Sequence, residues 1–188
     1  MQKLDPKTII ENLSVLKNIP RTGWLQRGIP PSVAETVAEH SFEVVSFLSI
    51  IAIEGGEGLD KEKMLIMGTI HDWGEAVAGD IPKSFATMLG DGVKSGVELK
   101  IMEELSTASG LENLMEIFKE YEGRRTNEAI VVKIADILST LRQAKVYAAR
   151  GYDVKDIIDG CGEELGELMG RLEKGKALAA IQKLLQAL

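Results

Sequence analysis

The sequence predicts an all-α protein, a compact bundle of about seven or eight helices. Apolar residues recur at spacings of three and four along most of the chain, which is the period of a helix with one buried face. Runs of alternating β-branched residues, which would indicate strands, are absent, and aromatic residues make up only 5% of the 188 residues. No repeat or low-complexity linker interrupts the pattern, so we expect one domain over residues 1–188.

The first helix is predicted to begin at Asp5-Pro6, with Asp5 as the N-cap, and to end before Pro20. The segment 21–31 that follows is rich in Gly and Pro and reads as a loop, yet it carries two arginines and a tryptophan. Two interpretations stay open. In one, Trp24 packs onto the core from a surface loop; in the other, Arg21 binds a phosphate and Trp24 packs against a ring or a sugar.

Ser32 and Glu35 have the spacing of a capping box, which predicts a second helix from about Val33 to Ile53. His40 lies next to the apolar stripe of this helix and should point inward or to its edge. A single histidine in such a place is more often a core residue than a ligand. The stripe itself comprises Val37, Ser41, Val44, Leu48 and Ile51.

The stretch from Thr69 to Pro82 concentrates polar groups against an apolar wall. A helix capped by Asp60 is predicted to run to about Ala76, with His71 on its inner face. Asp72 follows directly, Glu75 lies one turn further on, and Asp80 comes after a glycine break. Burying such groups is costly unless they are paired or bound to a metal, so this stretch is a candidate site.

The rest of the chain continues the helical pattern. Asp136 interrupts the apolar run of a long helix that Thr126 or Asn127 should cap, and an acid there needs a partner. The last helix either closes the core or offers a subunit contact. We expect helices over about 97–108, 111–121, 128–150, 154–172 and 176–188, and residues 82–96 give no clear pattern.

Composition excludes several classes of function. The net charge is -7 with the acids spread along the chain, which argues against binding a nucleic acid polymer or an anionic membrane. The single cysteine, Cys161, excludes an intrachain disulfide and a cysteine-based zinc site. Neither a signal peptide pattern nor a long apolar run is present, so we expect a cytoplasmic protein.

The only two histidines, His40 and His71, fall on inward faces of consecutive helices, and Asp72 and Asp136 add two carboxylates. This set suits a first-row divalent metal with positions left open for water and substrate. The alternative is two unrelated core histidines, with Asp136 paired to Lys133 or to an arginine.

The ordered pattern of His40, His71-Asp72 and Asp136 resembles the HD-domain superfamily of metal-dependent phosphohydrolases. Further motifs are similar to the HD-domain 5'-deoxynucleotidases. They are Arg21 and Trp24, His-Asp-Trp-Gly-Glu followed by Gly-Asp-Ile-Pro, Glu-Tyr-Glu at 120–122, and Lys-Ile-Ala-Asp at 133–136. The resemblance covers about residues 19–150, and the segment after Gly151 carries no motif.

The resemblance implies an all-α HD bundle with His40, His71, Asp72 and Asp136 as metal ligands. The implied reaction is hydrolysis of the phosphate from deoxyribonucleoside 5'-monophosphates. Family members often act as dimers, so a homodimer is implied as well. Histidine ligands favour manganese, cobalt, iron or a similar ion over magnesium.

The remaining acids and cations have provisional roles. Glu75 and Asp80 are not needed as ligands and are free for proton transfer, although the sequence does not say which acts as the base. Arg21 is the candidate phosphate clamp, and Lys83 either contributes or is a surface lysine. Trp73 is expected in the core, and Glu120 and Glu122 at a solvated helix end.

Two rival functions remain. Another HD phosphohydrolase, acting on cyclic nucleotides, nucleoside triphosphates or alarmones, would use the same four ligands. Few clustered cations lie between His71 and Asp136, which favours a monophosphate and a single metal. The second rival is a non-enzymatic helical module that holds a metal for stability or senses nucleotides.

Overall fold

The computed structural model describes residues 6–82, 85, 87–88, 90, 92–111, 113–172 and 175–188, and these residues form an all-α fold. Asp5 and Lys83 lie outside the described residues. In that part of the chain, extended pairing is limited to one isolated bridge between Pro20 and Thr36. The helices are α1 Pro6–Ser14, α2 Thr22–Leu25, α3 Val37–Gly55, α4 Lys61–Ile70, α5 Glu75–Ala78, α6 Val93–Ser109, α7 Leu114–Gly123, α8 Asn127–Ala149, α9 Lys155–Arg171 and α10 Lys176–Ala187.

Helix α8 is the centre of the bundle. It packs against α3, α4, α7 and α9, and α3 in turn packs against α4 and α10. Thr126 caps α8 by accepting from the amide of Ala129. All five residues of its predicted core stripe are buried, namely Ile130, Ile134, Ile137, Leu138 and Leu141. Burial of so many aliphatic side chains makes α8 a rigid support for any polar group it carries.

Two apolar clusters form the interior. The larger one joins α3, α4 and α6 through α10, and the half-buried Trp73 packs against it as expected. The smaller one surrounds Trp24 and Tyr147, whose rings meet edge to face with centroids 5.1 Å apart. Through this cluster, the segment between α2 and α3 packs against the C-terminal end of α8.

Helices α3 and α4 approach each other closely at Gly68. A Cβ atom there would lie 2.2 Å from Cδ1 of Leu48, so a side chain at this position would require either the Leu48 side chain or the helices themselves to shift. These are the helices that position His40 and His71. The glycine therefore helps to set the distance between the two imidazoles.

Helix α3 begins four residues later than the sequence suggested, and the predicted Ser32–Glu35 capping box is wrong. The box is formed instead by Thr36 and Glu39, each of whose side chains accepts from the other residue's amide. The carbonyl of Pro30 accepts from the amides of Val33 and Ala34, which makes the preceding segment a turn. Two capping patterns overlap here, and the turn after Pro30-Pro31 selects the second.

The helix predicted from Asp60 to Ala76 is also interrupted. Helix α4 ends at Ile70, and the chain makes a turn over residues 71–74 before the short helix α5. Helix α6 starts at Val93 rather than near 97. Among the described residues, no helix combines the length and the apolarity needed to cross a bilayer.

Candidate metal centre

The four predicted ligands come together in the interior of the bundle. His40 projects from α3, His71 and Asp72 follow the end of α4, and Asp136 lies in the middle of α8. Nε2 of His40 is 3.0 Å from Oδ1 of Asp136 and 3.8 Å from Oδ2 of Asp72. Nε2 of His71 is 3.2 Å from the same Asp72 oxygen. Neighbouring ligands of an ion with bonds of about 2.1 Å are separated by about 3 Å, so this spacing fits a bound divalent metal.

Both imidazoles are buried and aim the same nitrogen at the carboxylates. Nδ1 of His71 is 2.8 Å from the carbonyl oxygen of Gly68, and Nδ1 of His40 is 3.0 Å from Oγ of Ser139. The Nε2 atoms of both rings are buried and make no well-formed hydrogen bond to a described residue. Two buried nitrogens without partners, both facing carboxylates, are the donors that a transition metal takes.

Burial and neighbouring charges shift the pKa values of all four predicted ligands. Burial, reinforced by Arg21, lowers the pKa of His40 to about 4. Burial alone would lower the pKa of His71, but the Asp72 carboxylate outweighs it and raises that pKa. Burial opposes ionisation of Asp72 and Asp136, yet His71 and Lys133 respectively hold their pKa values below the usual range. Both carboxylates are therefore charged and available to a cation.

Asp136 has two distinct partners. Its Oδ1 faces His40, while its Oδ2 accepts from Nζ of Lys133 at 2.6 Å. The sequence left open whether Asp136 pairs with Lys133 or belongs to a metal site. In the structure it pairs with Lys133 and also lies beside His40, so its role as a metal ligand stays a prediction. His40, His71 and Asp72 alone offer ligand atoms that all lie within 4.8 Å of one another, and Asp136 adjoins this trio through His40.

Arg21 reaches the same centre from the segment before α2. Its Nη1 lies 3.5 Å from Oδ2 of Asp72, and its Nη2 donates to Oγ1 of Thr140 at 3.3 Å. Its backbone amide donates to the carbonyl of Glu35 at 2.8 Å. The guanidinium is thus held beside the predicted ligands before any substrate arrives.

Glu75 and Asp80 both border the centre, but their carboxyl groups differ in hydrogen bonding. Glu75 is buried and its Oε2 has no hydrogen-bond partner among the described residues. Burial, followed by the nearby Asp72 and Asp80, raises the pKa of Glu75 well above its usual value. Asp80 instead accepts from the amide of Thr22 through Oδ2, and Thr22 Oγ1 donates to its carbonyl at 2.9 Å. One Asp80 oxygen therefore fastens α2 to the segment after α5.

A cavity of about 570 Å³ opens above the predicted ligands. That volume lies within the range of pockets that bind small organic ligands. Among the described residues that line it, carboxylates outnumber cationic side chains by eight to five. Arg21, His71, Asp72, Glu75, Asp80 and Asp136 all belong to its lining.

The other sequence predictions have mixed outcomes. Trp24 is 2% exposed and donates from Nε1 to Glu35 at 3.1 Å, and it also belongs to the cavity lining. It therefore packs in the core, and its contact with substrate stays a prediction. Glu120 pairs with Lys63 at 2.8 Å, and the half-buried Glu122 lies in the last turn of α7, where it also borders the cavity.

Some residues of the centre were not predicted to belong to a site, and Lys133 was expected only as a possible partner of Asp136. Lys133 and Ser139 flank Asp136 at a spacing of three, so both share its helix face, and this periodicity was available in the sequence. Lys94 of α6 lines the cavity and pairs with Glu98 at 3.4 Å. Helix α9 contributes Ile157, Gly160, Cys161 and Glu164 to the cavity wall, although the segment after Gly151 carries no motif.

The sequence of the chain is similar to those of known proteins. A family model described as HD domain matches residues 13–159. A 5'-deoxynucleotidase of Dictyostelium discoideum is 29% identical over 154 residues, covering 76% of this chain and 77% of the relative. A second 5'-deoxynucleotidase, from Schizosaccharomyces pombe, is 29% identical over 153 residues, covering 79% and 75% of the two chains.

Solved structures show the same fold. A conserved hypothetical protein from Pyrococcus furiosus superposes with a TM-score of 0.76 at 31% identity, covering 95% of this chain and 98% of the other. A predicted metal-dependent phosphohydrolase from Magnetospirillum magnetotacticum superposes with a TM-score of 0.62, covering 96% of this chain and 89% of the other. At 21% identity, the second likeness concerns the fold alone.

Proposed function

The chain belongs to the HD domain family, and on that premise we propose that it is a metal-dependent phosphohydrolase that removes the phosphate from deoxyribonucleoside 5'-monophosphates. The observation that carries the proposal is the buried cluster of His40, His71, Asp72 and Asp136 at the base of a cavity that Arg21 also lines. The substrate class comes from the relatives described as 5'-deoxynucleotidases.

The charge of the cavity explains why a metal is needed. With an excess of carboxylates in its lining, the cavity would repel a phosphate dianion. His40, His71, Asp72 and Asp136 would hold a divalent ion, which would supply the missing positive charge, offset charge on the phosphoryl group and make a water molecule more acidic. The two histidine ligands favour manganese, cobalt, iron or a similar ion over magnesium.

Arg21 is the proposed phosphate clamp. Its planar guanidinium matches two phosphate oxygens, and it is already fixed between Asp72 and Thr140. Lys133, whose ammonium lies on the cavity wall beside Asp136, provides a second positive group. Both side chains are already held beside the predicted ligands, which limits the reorganisation needed when the phosphate binds.

Glu75 is the better candidate of the two acids for moving the proton of the attacking water. Its carboxyl group is buried, borders the cavity and has one oxygen without a partner among the described residues. Asp80 uses one oxygen to hold the amide of Thr22, so its main contribution is to position α2 and Arg21. Its other oxygen remains available to assist the leaving oxygen.

The test is phosphate release by metal-stripped protein reloaded with manganese or cobalt. The substrates are deoxyribo- and ribonucleoside monophosphates, cyclic nucleotides and nucleoside triphosphates. Release from deoxyribonucleoside monophosphates alone, lost in Asp72→Asn, supports the proposal. Release from another class moves the function to a different phosphohydrolase, and a bound metal without any release indicates a sensor or scaffold.

Three further expectations belong to the same proposal. Residues 1–188 act as one HD domain, with the substrate a small nucleotide rather than a nucleic acid polymer or a membrane. The active form is a homodimer, which sedimentation of the purified protein would test. The cytoplasm is the expected compartment.

A further inference from the structure

The proposed ligand His40 is held by a chain of side chains that the reaction itself does not use. His40 is completely buried on α3, and Ser139 is completely buried on α8. Oγ of Ser139 lies 3.0 Å from Nδ1 of His40 and 2.9 Å from Oε2 of Glu43. Oε1 of Glu43 lies 2.8 Å from Nη1 of Arg142. The four groups form one line from the interior to the surface.

The direction of each hydrogen bond in this line follows from simple counting. Glu43 is paired with Arg142, and an ionised carboxylate can only accept. The single hydroxyl proton of Ser139 must therefore go to Glu43, which leaves the Ser139 oxygen as an acceptor towards His40. Nδ1 of His40 then has to carry a proton and donate it to Ser139.

This assignment fixes the tautomer of the ring. With the proton on Nδ1, the neutral imidazole has its lone pair on Nε2, which is the nitrogen that faces Asp136 and Asp72. His71 is held in the same Nδ1-protonated tautomer by a single hydrogen bond, because the backbone carbonyl of Gly68 accepts from its Nδ1. A carbonyl can only accept, whereas a serine hydroxyl can also donate, so His40 needs Glu43 to set the direction.

We propose that Ser139 and Glu43 are positioning residues that keep His40 in its Nδ1-protonated tautomer, with Nε2 ready for the metal. The inference rests on the proposed metal site. It assigns a role to Glu43, whose carboxylate contacts Ser139 and Arg142 and which is not one of the residues that line the cavity. Partners that orient a ligating histidine typically change metal affinity by about 10–100-fold when they are removed.

Four variants separate this role from general packing. Ser139→Ala removes the acceptor for Nδ1. Glu43→Ala removes the group that takes the Ser139 proton, so the hydroxyl is free to donate to His40 and favour the wrong tautomer. Glu43→Gln has nearly the same shape but keeps only one acceptor oxygen, which the Arg142 guanidinium requires, so the amide NH2 faces Ser139 and the Ser139 proton turns towards His40. This variant should therefore lose affinity as Glu43→Ala does. Ser109→Ala is the control, because Ser109 is equally buried but donates to the Leu105 carbonyl of its own helix.

The first measurement is the affinity for Zn²⁺ by competition with a chelator, with the melting of the metal-free proteins as a check on folding. We expect Ser139→Ala and Glu43→Ala to bind Zn²⁺ about 10–100-fold more weakly, and Ser109→Ala to match the wild type. Equal affinity in Ser139→Ala and the wild type overturns the inference while leaving the proposed function intact. A wild type that binds no Zn²⁺ through its histidines overturns both.

The second measurement reads the rings directly. The chain has only two histidines, so protein labelled with ¹⁵N-histidine gives signals from His40 and His71 alone. In the Zn²⁺-loaded wild type, each ring should show one hydrogen-bonded Nδ1 proton. In Ser139→Ala the His40 proton signal should shift and the His71 signal should stay, and an unchanged His40 signal contradicts the proposed contact.

Discussion

Nη1 of Arg21 lies 3.5 Å from Oδ2 of Asp72, and neither side chain is more than 18% exposed. The proposed phosphate clamp and a proposed metal ligand are therefore direct neighbours. A phosphate that bridges them would replace a contact that already exists, which limits the reorganisation needed for binding. Burial opposes the charge on Arg21, but the carboxylates around it, Asp72 first, raise its pKa further.

Arg21→Lys should lower kcat/KM for a deoxyribonucleoside monophosphate by about 10–100-fold, because charge-assisted hydrogen bonds contribute about 1.5–3 kcal/mol. The lysine keeps the charge but loses the planar pair of donors. Metal affinity should not fall, since Arg21 is a positive neighbour of the ligands. The matched control is Arg150→Lys, at an exposed position. Equal losses in both variants would contradict the clamp.

Glu75→Gln should lower kcat by about 10²–10⁴-fold, which is the usual contribution of a positioned acid or base. The amide has nearly the same shape, so metal affinity and KM should change little. Asp80→Asn should cost less, because the one oxygen that remains in the asparagine side chain can take the place of Asp80 Oδ2 and accept from the amide of Thr22. Steady-state kinetics on both variants decide the roles, and a larger loss of kcat in Asp80→Asn would reverse them.

Metal should stabilise the fold without being required for it. The two apolar clusters contain most of the buried residues and do not depend on the metal ligands. Free metal at about 100 times its Kd adds about 2.7 kcal/mol, which is about 5–10 °C in Tm for a chain of this size. Asp136→Asn should lose this shift. Complete unfolding on chelation would instead identify a structural metal.

The sequence was most informative where helical periodicity applies. Asp136 and His40 were expected to face inward because they lie within or beside apolar stripes, and both are buried. Lys133 and Ser139 sit on the face of Asp136 and follow from the same spacing. The partner of Ser139 does not follow from this spacing, because Glu43 contacts Ser139 only when α3 and α8 are packed side by side.

The start of α3 was predicted wrongly because two capping patterns overlap in the sequence. Ser32-Glu35 and Thr36-Glu39 both have capping-box spacing, and only the fold of the preceding turn decides between them. Glu35 consequently accepts from Trp24 instead of capping a helix. The role of α9 in lining the cavity was also beyond sequence reasoning, since amphipathic spacing does not distinguish a face against the core from a face against a cavity.

Glu35 should make stability fall as the pH rises. Burial raises its pKa to about 7 from an ordinary value of 4.5, so the folded protein binds a proton that the unfolded chain has lost. The free energy of unfolding therefore decreases between these two pH values and stays lower above them. Glu35→Gln keeps the acceptor for Trp24 and removes this penalty, so it should gain up to about 3 kcal/mol above pH 7.

Urea unfolding of Glu35→Gln and the wild type from pH 4.5 to 8 measures this difference, and titration of the histidines cancels in the comparison. The control is Glu104→Gln, an exposed glutamate of α6. The two curves should converge near the lower end of the range. A constant offset between them would mean that Glu35 does not titrate in this window.

Helix α9 should control the size of the substrate pocket through Gly160. A Cβ atom added there would meet nothing within 4 Å, and the residue lines the cavity, so a leucine side chain would extend into the space for the substrate. Gly160→Leu should reduce kcat/KM by about tenfold or more, equivalent to about 1.4 kcal/mol. Affinity for the metal alone should be unchanged, because the ligands lie on other elements.

Gly162→Leu is the matched control, two residues further along the same helix, exposed and outside the cavity lining. Replacing glycine inside a helix should raise the stability of both variants by about 0.5–1 kcal/mol. Thermal melting should therefore show a similar gain in Tm for the two proteins, while only Gly160→Leu loses activity. Equal activity in the two variants would place the nucleoside elsewhere in the cavity, away from α9.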